Sequence, residues 1–251
     1  MIVTILGSGT SNGVPVIGCT CPVCLSSEKK NNRTRSSIWI QGESASVVID
    51  TATEFRIQAL REGIDWVDAV FLTHAHADHI HGLDDIRPLS YNKTIPVYGN
   101  EPTIAEIQHR FDYIFKGTQK GGGKPRITLH TLGAGTVRIE DLTITPVPVL
   151  HGKLPILAYR IGDVGYCTDC SYIPESSIKL LANLKLLIIG SLRYTPHPTH
   201  FSVSQTVEVF RELRPKKAYL THISHEIEHN TLASELPDGI EPAWDGLNIE
   251  I

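Results

Sequence analysis

The stretch THAHADHIHG, residues 73–82, contains four histidines and one aspartate within ten positions. In extended chain, the side chains at i and i+2 point the same way, so His74 and His76 can bind one cation. Asp78 and His79 follow where a helix is expected to begin, and they face elsewhere. Two ligand pairs on one loop therefore predict a site for two metal ions.

Each of these ions needs further ligands, and three candidates follow apolar segments elsewhere in the chain. They are His151, Asp169 and His222. A carboxylate such as Asp169 can bridge two cations and hold them about 3.5 to 4 Å apart, which offsets their repulsion. The ligand types are complete for a dinuclear centre.

The composition limits the classes of protein to which this chain can belong. The 251 residues carry a net charge of −4, and 41% of them are hydrophobic, which suffices for a large core in one domain spanning residues 1–251. The acidic balance argues against a stable nucleic-acid complex. Without a signal-like or membrane-length apolar run, and with three of five cysteines crowded together, we expect a cytoplasmic protein without a membrane partner.

Short apolar stretches in consecutive runs predict strands, and fewer segments predict helices. This order favours two packed sheets flanked by helices over a doubly wound parallel sheet. The predicted helices cover residues 54–62, 102–115, 174–183 and 202–213, with Ser202 as an N-cap. The predicted strands cover residues 1–6, 36–40, 46–49, 67–72, 95–98, 142–149, 157–161, 164–167, 184–189 and 217–220.

The HxHxDH pattern with its distant His, Asp and His resembles the metallo-β-lactamase superfamily. This resemblance implies an α/β (α+β) fold, the αββα sandwich of two mixed sheets flanked by helices. It also implies one ligand set of His74, His76 and His151, a second of Asp78, His79 and His222, and Asp169 as the bridge between them.

Four further motifs narrow the resemblance to the cyclic phosphodiesterase family associated with the carbon–phosphorus lyase pathway, the PhnP-like proteins. They are GSGTSNGVPVIGCTCPVC (7–24), HADHIHGLDDIRPL (76–89), LTHISHE (220–226) and AWDG (243–246). The family implies a structural Zn²⁺ held by Cys19, Cys21, Cys24 and His225. Three thiolates and one imidazole would close a tetrahedral shell, and the alternative is three buried free cysteines.

The resemblance implies hydrolysis of a small cyclic phosphodiester, such as a ribose 1,2-cyclic phosphate or a related sugar or nucleotide ester. Two divalent cations, Asp78, Asp169 and a bridging hydroxide leave a charge of about +1, which suits a phosphodiester monoanion. Mn²⁺ is the expected metal, with Zn²⁺ or Fe²⁺ as alternatives. Asp78 and His200 are the expected catalytic residues, with His200 either protonating the leaving group or orienting the substrate.

Several interpretations stay open at this level. Asp50 either accepts a hydrogen bond from a ligating imidazole or is a simple turn aspartate. The alternative functions are a tRNA 3′-end processing endonuclease and a metal-binding module without catalysis. Cys167 and Cys170 are either packing residues or an oxidation-sensitive pair, and the segment 116–125 is either a connection or a lid over the site. The oligomeric state is open between monomer and homodimer.

Overall fold

The computed structural model describes residues 1–117 and 123–251. Strands make up most of the regular structure in these ranges. In chain order they are β1 (Ile2–Gly7), β2 (Ser37–Gln41), β3 (Ser46–Ile49), β4 (Ala69–Phe71), β5 (Ile95–Gly99), β6 (Ile127–Thr131), β7 (Val137–Ile139), β8 (Leu142–His151), β9 (Leu154–Ile161), β10 (Val164–Cys167), β11 (Leu186–Gly190), β12 (Lys217–Thr221), β13 (Ile240–Pro242) and β14 (Asn248–Glu250).

The α-helices are short and lie between the strands. They are α1 (Phe55–Glu62), α2 (Ala77–Ile80), α3 (Glu101–Arg110), α4 (Asp112–Phe115), α5 (Glu175–Leu180), α6 (Val203–Leu213) and α7 (His229–Glu235). Three short 3₁₀ turns cover Lys29–Asn31, Leu83–Ile86 and Pro88–Ser90.

The strands form two mixed sheets of seven strands each. The first has the order β14-β1-β2-β3-β4-β5-β6, and the second has the order β13-β12-β11-β10-β9-β8-β7. In the first sheet, β3 to β6 are parallel. In the second, β10 to β13 are parallel, whereas β7 to β10 pair antiparallel. The two parallel regions give each sheet a shared edge of carboxyl strand ends, where loops have room to carry functional side chains.

Three apolar clusters define four layers. The first cluster fills the space between the sheets, with residues such as Ile5, Phe71 and Tyr159 fully buried. The second lies on the outer face of the second sheet beneath α5, α6 and α7, and the third lies on the outer face of the first sheet beneath α1 and α3. This arrangement confirms the predicted αββα sandwich.

The predicted helix over residues 102–115 is wrong as a single helix. The chain leaves helical geometry at Phe111, which has φ −111° and ψ 36°, so α3 ends there and α4 begins afterwards. The side chain of Phe111 is buried in the cluster beneath the first sheet. The buried ring lies at the turn between the two helices, and the apolar pattern of the segment does not indicate that turn.

The N-cap prediction for α6 is confirmed. Ser202 accepts a hydrogen bond from the backbone N–H of Gln205, and the Gln205 side chain accepts one from the backbone N–H of Ser202, which is a capping box. Among the described residues, no helix is long and apolar enough to cross a membrane. The segment 116–125, predicted as a connection or a lid, includes residues 118–122, which lie outside the described ranges.

Candidate dinuclear metal centre

The predicted ligands meet at the carboxyl ends of strands from both sheets. His74 and His76 follow β4, while Asp78 and His79 lie in α2, directly after that loop. Across the sandwich, β8 ends at His151, and two further ligands follow β10 and β12. Because β10 and β12 are parallel and β8 runs in the same direction, Asp169 and His222 reach the same edge as His151.

One group of ligand atoms comes from His74, His76, His151 and Asp169, and we call it the first set. All four atoms lie within 4.8 Å of one another. The Nε2 atom of His74 is 2.8 Å from Nδ1 of His76 and 3.8 Å from Oδ2 of Asp169. Ligands held about 2.1 Å from a tetrahedral ion lie roughly 3.4 Å apart, so these distances fit one cation.

The second set consists of Asp78, His79, Asp169 and His222, again within 4.8 Å of one another. His79 Nε2 lies 3.2 Å from Oδ2 of Asp78 and 3.4 Å from Oδ1 of Asp169. His222 Nε2 lies 3.1 Å from the same Oδ1 atom. All four side chains are buried, which is costly unless charged partners or a cation are present.

Asp169 joins the two sets. Its Oδ2 atom faces His74 of the first set, and its Oδ1 atom faces His79 and His222 of the second. One carboxylate thus offers one oxygen to each set, as the bridging prediction requires.

The polar atoms of the second set show most clearly whether metal ions fit between these residues. Among the described residues, Nε2 of His79 and both ring nitrogens of His222 are buried without a hydrogen-bond partner. Buried nitrogen atoms are rarely left unpaired in folded proteins. Imidazole nitrogens and carboxylate oxygens are the donors that Mn²⁺, Zn²⁺ and Fe²⁺ accept, so the residues present fit a pair of divalent cations.

The backbone at this centre adopts unusual conformations. Asp50, Asp169 and His222 have φ values of 63°, 54° and 57°, and they account for three of the six non-glycine residues with positive φ in the described chain. Such conformations cost free energy and cluster at functional sites, where the surrounding structure maintains them. Sequence patterns carried no sign of this feature.

Asp50 orients the ligand loop from below. Its Oδ2 atom lies 2.7 Å from Nδ1 of His79, and its Oδ1 atom accepts a hydrogen bond from the backbone N–H of Thr73. The hydroxyl of Thr73 also reaches Asp50 and lies 3.0 Å from Nδ1 of His74. A partner at Nδ1 leaves Nε2 to face the metal. The structure thus favours the orienting interpretation of Asp50, and it adds Thr73, which sequence reasoning missed.

Thr199 and His200 contact the centre from the loop before α6. The Nδ1 atom of His151 donates a hydrogen bond to the carbonyl oxygen of Thr199 at 2.8 Å, which leaves Nε2 of His151 free to ligate. The ring of His200 lies 4.6 Å from that of His151 and 4.8 Å from that of His222. His200 therefore contacts one ligand of each set while belonging to neither.

The pKa values of two residues in the second set, His79 and Asp169, are strongly shifted. Burial opposes a charged His79, but the carboxylates of Asp169, Asp78 and Asp50 outweigh it and raise the pKa of His79 well above its usual value. Burial likewise opposes ionisation of Asp169, but His222 and His79 hold its pKa well below the usual range. Without a cation, a proton on His79 offsets part of the negative charge of the neighbouring carboxylates.

The histidines of the first set behave in the opposite way. Burial, reinforced by neighbouring imidazoles, lowers the pKa of His74 well below its usual value, and it also lowers the pKa of His76. Both rings are neutral at neutral pH and need to lose no proton before they bind a cation.

The pKa of His200 lies well below the near-neutral value of a free histidine. Burial and the adjacent His222 and His151 lower its pKa to about 3. Its imidazole is therefore neutral at neutral pH, and it can donate a proton only if a bound anion stabilises the charged form.

A separate cluster joins the loop after β1 to the segment after β12. The Nδ1 atom of His225 is 3.3, 3.5 and 3.6 Å from the sulfur atoms of Cys19, Cys21 and Cys24. These spacings fit a tetrahedral zinc ion with three sulfur ligands and one nitrogen ligand. The backbone N–H of Cys24 lowers the pKa of Cys21 to about 6, so a thiolate forms at neutral pH.

Cys167 and Cys170 flank Asp169 but face away from the centre. Both are buried in the apolar cluster on the outer face of the second sheet. Cys170 Sγ donates a hydrogen bond to the carbonyl oxygen of Tyr172 at 3.3 Å. These surroundings favour the packing interpretation of the two thiols.

The sequence between residues 45 and 223 matches the Beta-lactamase superfamily domain. The matched region contains both ligand sets of the centre. The chain belongs to the metallo-β-lactamase superfamily. Within this superfamily it belongs with the PhnP family. A crystal structure of a diphosphatase from the PhnP family is 43% identical, covers 99% of this chain and 96% of its own, and superposes with a TM-score of 0.93.

Two curated relatives of this metallo-β-lactamase chain carry other names. An octanoyltransferase of Porphyromonas gingivalis is 37% identical over 247 residues, which are 97% of this chain and 50% of that protein. A ribonuclease Z of Synechococcus is 30% identical over 172 residues, which are 64% of this chain and 48% of that protein. The chain thus spans about half the length of these curated relatives.

Proposed function

We propose that this chain is a metal-dependent phosphodiesterase that hydrolyses a small cyclic phosphodiester at a dinuclear centre. The observation that carries the proposal is the placement of Asp169, whose two carboxylate oxygens face two different ligand sets. Membership of the PhnP family supports a phosphate-containing substrate.

The charge of the site suits this substrate. Two bound divalent cations would lower the pKa of a water molecule and stabilise the negative charge that develops on the phosphoryl oxygens. The Asp78 and Asp169 carboxylates reduce the charge of the pair, so that a phosphodiester monoanion is attracted without being held too tightly. Asp50, Thr73 and Thr199 hold the ligating imidazoles in position through the contacts described above.

The departing alkoxide needs a proton, and we propose that His200 supplies it. The neutral ring lies between His151 and His222, where a phosphoryl group held by both sets would approach it. The negative charge of that group stabilises the imidazolium, which raises the low pKa of His200 when substrate binds. His200 therefore takes up its proton together with the substrate.

An RNA-processing endonuclease is the second candidate, because a ribonuclease Z is among the relatives. The net charge of −4 disfavours it, since proteins that grip RNA neutralise many phosphates with basic side chains. A diphosphatase is also among the relatives, so hydrolysis of a diphosphate is the third candidate. In that reaction the same centre would cleave a phosphoanhydride bond instead of an ester bond.

A comparison of substrates tests the proposal. The protein, loaded with Mn²⁺, is given ribose 1,2-cyclic phosphate, a tRNA precursor with a 3′ extension, and a dinucleoside diphosphate. We expect a clear preference in kcat/KM for the cyclic ester. Faster cleavage of the precursor would favour the endonuclease, and faster cleavage of the diphosphate would assign the site to anhydride hydrolysis.

A further inference from the structure

A polar cleft of about 600 Å³ lies beside the loop that follows β1. Residues between 12 and 17 of that loop line it, together with residues 32–35 before β2 and the beginning of α1. The cleft shares no residue with either ligand set of the metal centre or with the cysteine cluster. Its volume lies within the range of sites for small molecules, so it has room for a ligand of its own.

The basic side chains that line this cleft outnumber the acidic ones. They are Lys29, Arg33, Arg35 and Arg61, against Glu54 and Asp245. The whole chain has a net charge of −4, so the surplus of two positive charges is a local feature of the cleft. A concave surface with such a surplus concentrates anions.

Two of the four cations have a carboxylate partner, and two do not. Arg35 pairs with Glu54, and Nη1 of Arg61 lies 3.4 Å from Oδ2 of Asp245. In the part of the chain that the structure describes, no carboxylate oxygen lies within 4.0 Å of the charged nitrogens of the other two, Lys29 and Arg33. The surplus charge of the cleft therefore belongs to Lys29 and Arg33.

Arg33 is a buried cation, since only 2% of it is exposed. Its Nη1 atom donates hydrogen bonds to the hydroxyl of Ser8 and to the carbonyl oxygen of Ala243, and its Nη2 atom lies 3.2 Å from Nδ1 of His229. Burial lowers the pKa of Arg33 to about 10, so it stays charged at neutral pH. A buried charge is costly without an opposite charge nearby, and Asp245 reaches Arg33 only through the Ser8 hydroxyl. An anion in the cleft would reduce this cost.

Glu54 gives the same cleft an acceptor that lacks a donor. Its Oε1 atom pairs with Arg35, whereas its Oε2 atom is buried and has no hydrogen-bond partner among the described residues. Buried carboxylate oxygens are rarely left unpaired. A ligand hydroxyl can donate to this oxygen, so a ligand that carries both an anionic group and hydroxyl groups matches the cleft.

We propose that this cleft is a second ligand site, which binds a phosphate monoester of a small hydroxylated molecule, such as a sugar phosphate. The phosphate lies near Lys29 and Arg33, and a hydroxyl group donates to Glu54. A phosphate monoester carries about two negative charges at neutral pH, which equals the positive surplus of the cleft. The proposal is independent of the proposed function, because the cleft contains no ligand of the metal centre.

Calorimetry with ribose 5-phosphate tests the site in the Mn²⁺-loaded protein. Because a phosphate monoester can also bind a pair of metal ions, we expect two binding sites per chain. Lys29→Gln, a change at an exposed side chain, should weaken one of them about tenfold, because a hydrogen bond from a charged group to the phosphate is lost. Asp78→Ala should remove the other site and retain the one that depends on Lys29.

Lys179→Gln is the matched control, because Lys179 is an exposed lysine of α5 outside the cleft. It should change neither site. Inorganic phosphate should bind the Lys29-dependent site more weakly than ribose 5-phosphate, because it lacks the sugar hydroxyls. Equal binding of ribose 5-phosphate by the wild-type protein and Lys29→Gln overturns the second site. Binding of inorganic phosphate as tightly as ribose 5-phosphate overturns the assignment to a hydroxylated ligand.

Discussion

The Nδ1 atom of His79 lies 2.7 Å from Oδ2 of Asp50, and neither side chain is exposed to solvent. This contact fixes which ring nitrogen of His79 faces the second ligand set. It also places a third carboxylate beneath a centre that already contains Asp78 and Asp169. The orientation of His79, and the affinity for a cation that we expect of it, therefore depend on a residue outside both ligand sets.

Replacing Asp50 with Asn tests this dependence. Asn adopts positive φ readily, so the backbone at this position, with φ 63°, should be retained. The amide cannot accept from both Thr73 and His79 as the carboxylate does. We expect Asp50→Asn to weaken metal binding about 10- to 100-fold, measured by competition with a chelator. Asp163→Asn, at an exposed surface ion pair, is the control, and an equal loss in both variants would contradict the role of Asp50.

The two ligand sets should differ in their linkage to pH. Because the pKa of His79 is raised, its proton is present at neutral pH without metal, and a cation must displace it. Because the pKa values of His74 and His76 are lowered, neither needs to lose a proton. Metal affinity of the second set should thus fall as pH falls below the raised pKa of His79, whereas these two histidines add no such dependence near neutral pH.

Calorimetry in two buffers with different ionisation enthalpies counts the protons released on loading. We expect about one proton for the cation bound by the second set. Release should be lost when Asp78→Ala removes that site. Loading of both ions without any proton release would show that His79 is already neutral.

The cluster of Cys19, Cys21, Cys24 and His225 should support the proposed dinuclear centre through one short loop. His225 of the cluster and His222 of the second set are three residues apart, and Ile223 between them is tied to the N-terminal loop by hydrogen bonds with Ser8 and Thr10. We expect Cys21→Ser to lower the melting temperature and also the metal content of the dinuclear centre, both measured after dialysis. Leu25→Ser, at a 69% exposed position near Cys24, is the control. Full occupancy of the dinuclear centre in Cys21→Ser would contradict this coupling.

His200 should affect turnover without affecting metal content. Since its pKa is about 3, the free enzyme keeps this ring neutral above about pH 4, and bound cations push the pKa in the same direction. The pH profile of kcat/KM, which reports the free enzyme, should therefore show no break near pH 6.5 from His200. His200→Gln should lower kcat by roughly 10²- to 10⁴-fold with unchanged metal content. A break near pH 6.5 that disappears in the variant would contradict the low pKa.

The sequence predicted the fold and the grouping of the ligands better than it predicted the residues that hold those ligands in position. The spacing of His74, His76, Asp78 and His79 is local, so the pattern itself carries the information. Thr73 and Thr199 act through contacts that exist only after the loops pack together. The low pKa of His200 likewise arises from burial beside histidines distant in sequence.

The sequence also failed to predict two edge strands and one short helix, because few of their residues are buried. The strands β6 and β7 lie at sheet edges, and their side chains are partly or fully exposed. An edge strand needs few apolar residues, so segments such as ITLHT give little signal. The short helix α7 has only two buried residues, His229 and Leu232, and its N-cap is Glu228, which is not among the preferred capping residues.

A dinuclear phosphodiesterase is tested most directly by hydrolysis of ribose 1,2-cyclic phosphate by the Mn²⁺-loaded protein, with the Asp78→Ala variant measured in parallel. Asp78 contributes only to the second set, so the variant should lose the second cation and with it the activity. We expect the wild-type protein to release a phosphomonoester, and the variant to release it at least about a hundredfold more slowly, as after loss of a catalytic group. An intact substrate with the fully loaded wild-type protein, or equal rates for both proteins, would contradict a dinuclear phosphodiesterase.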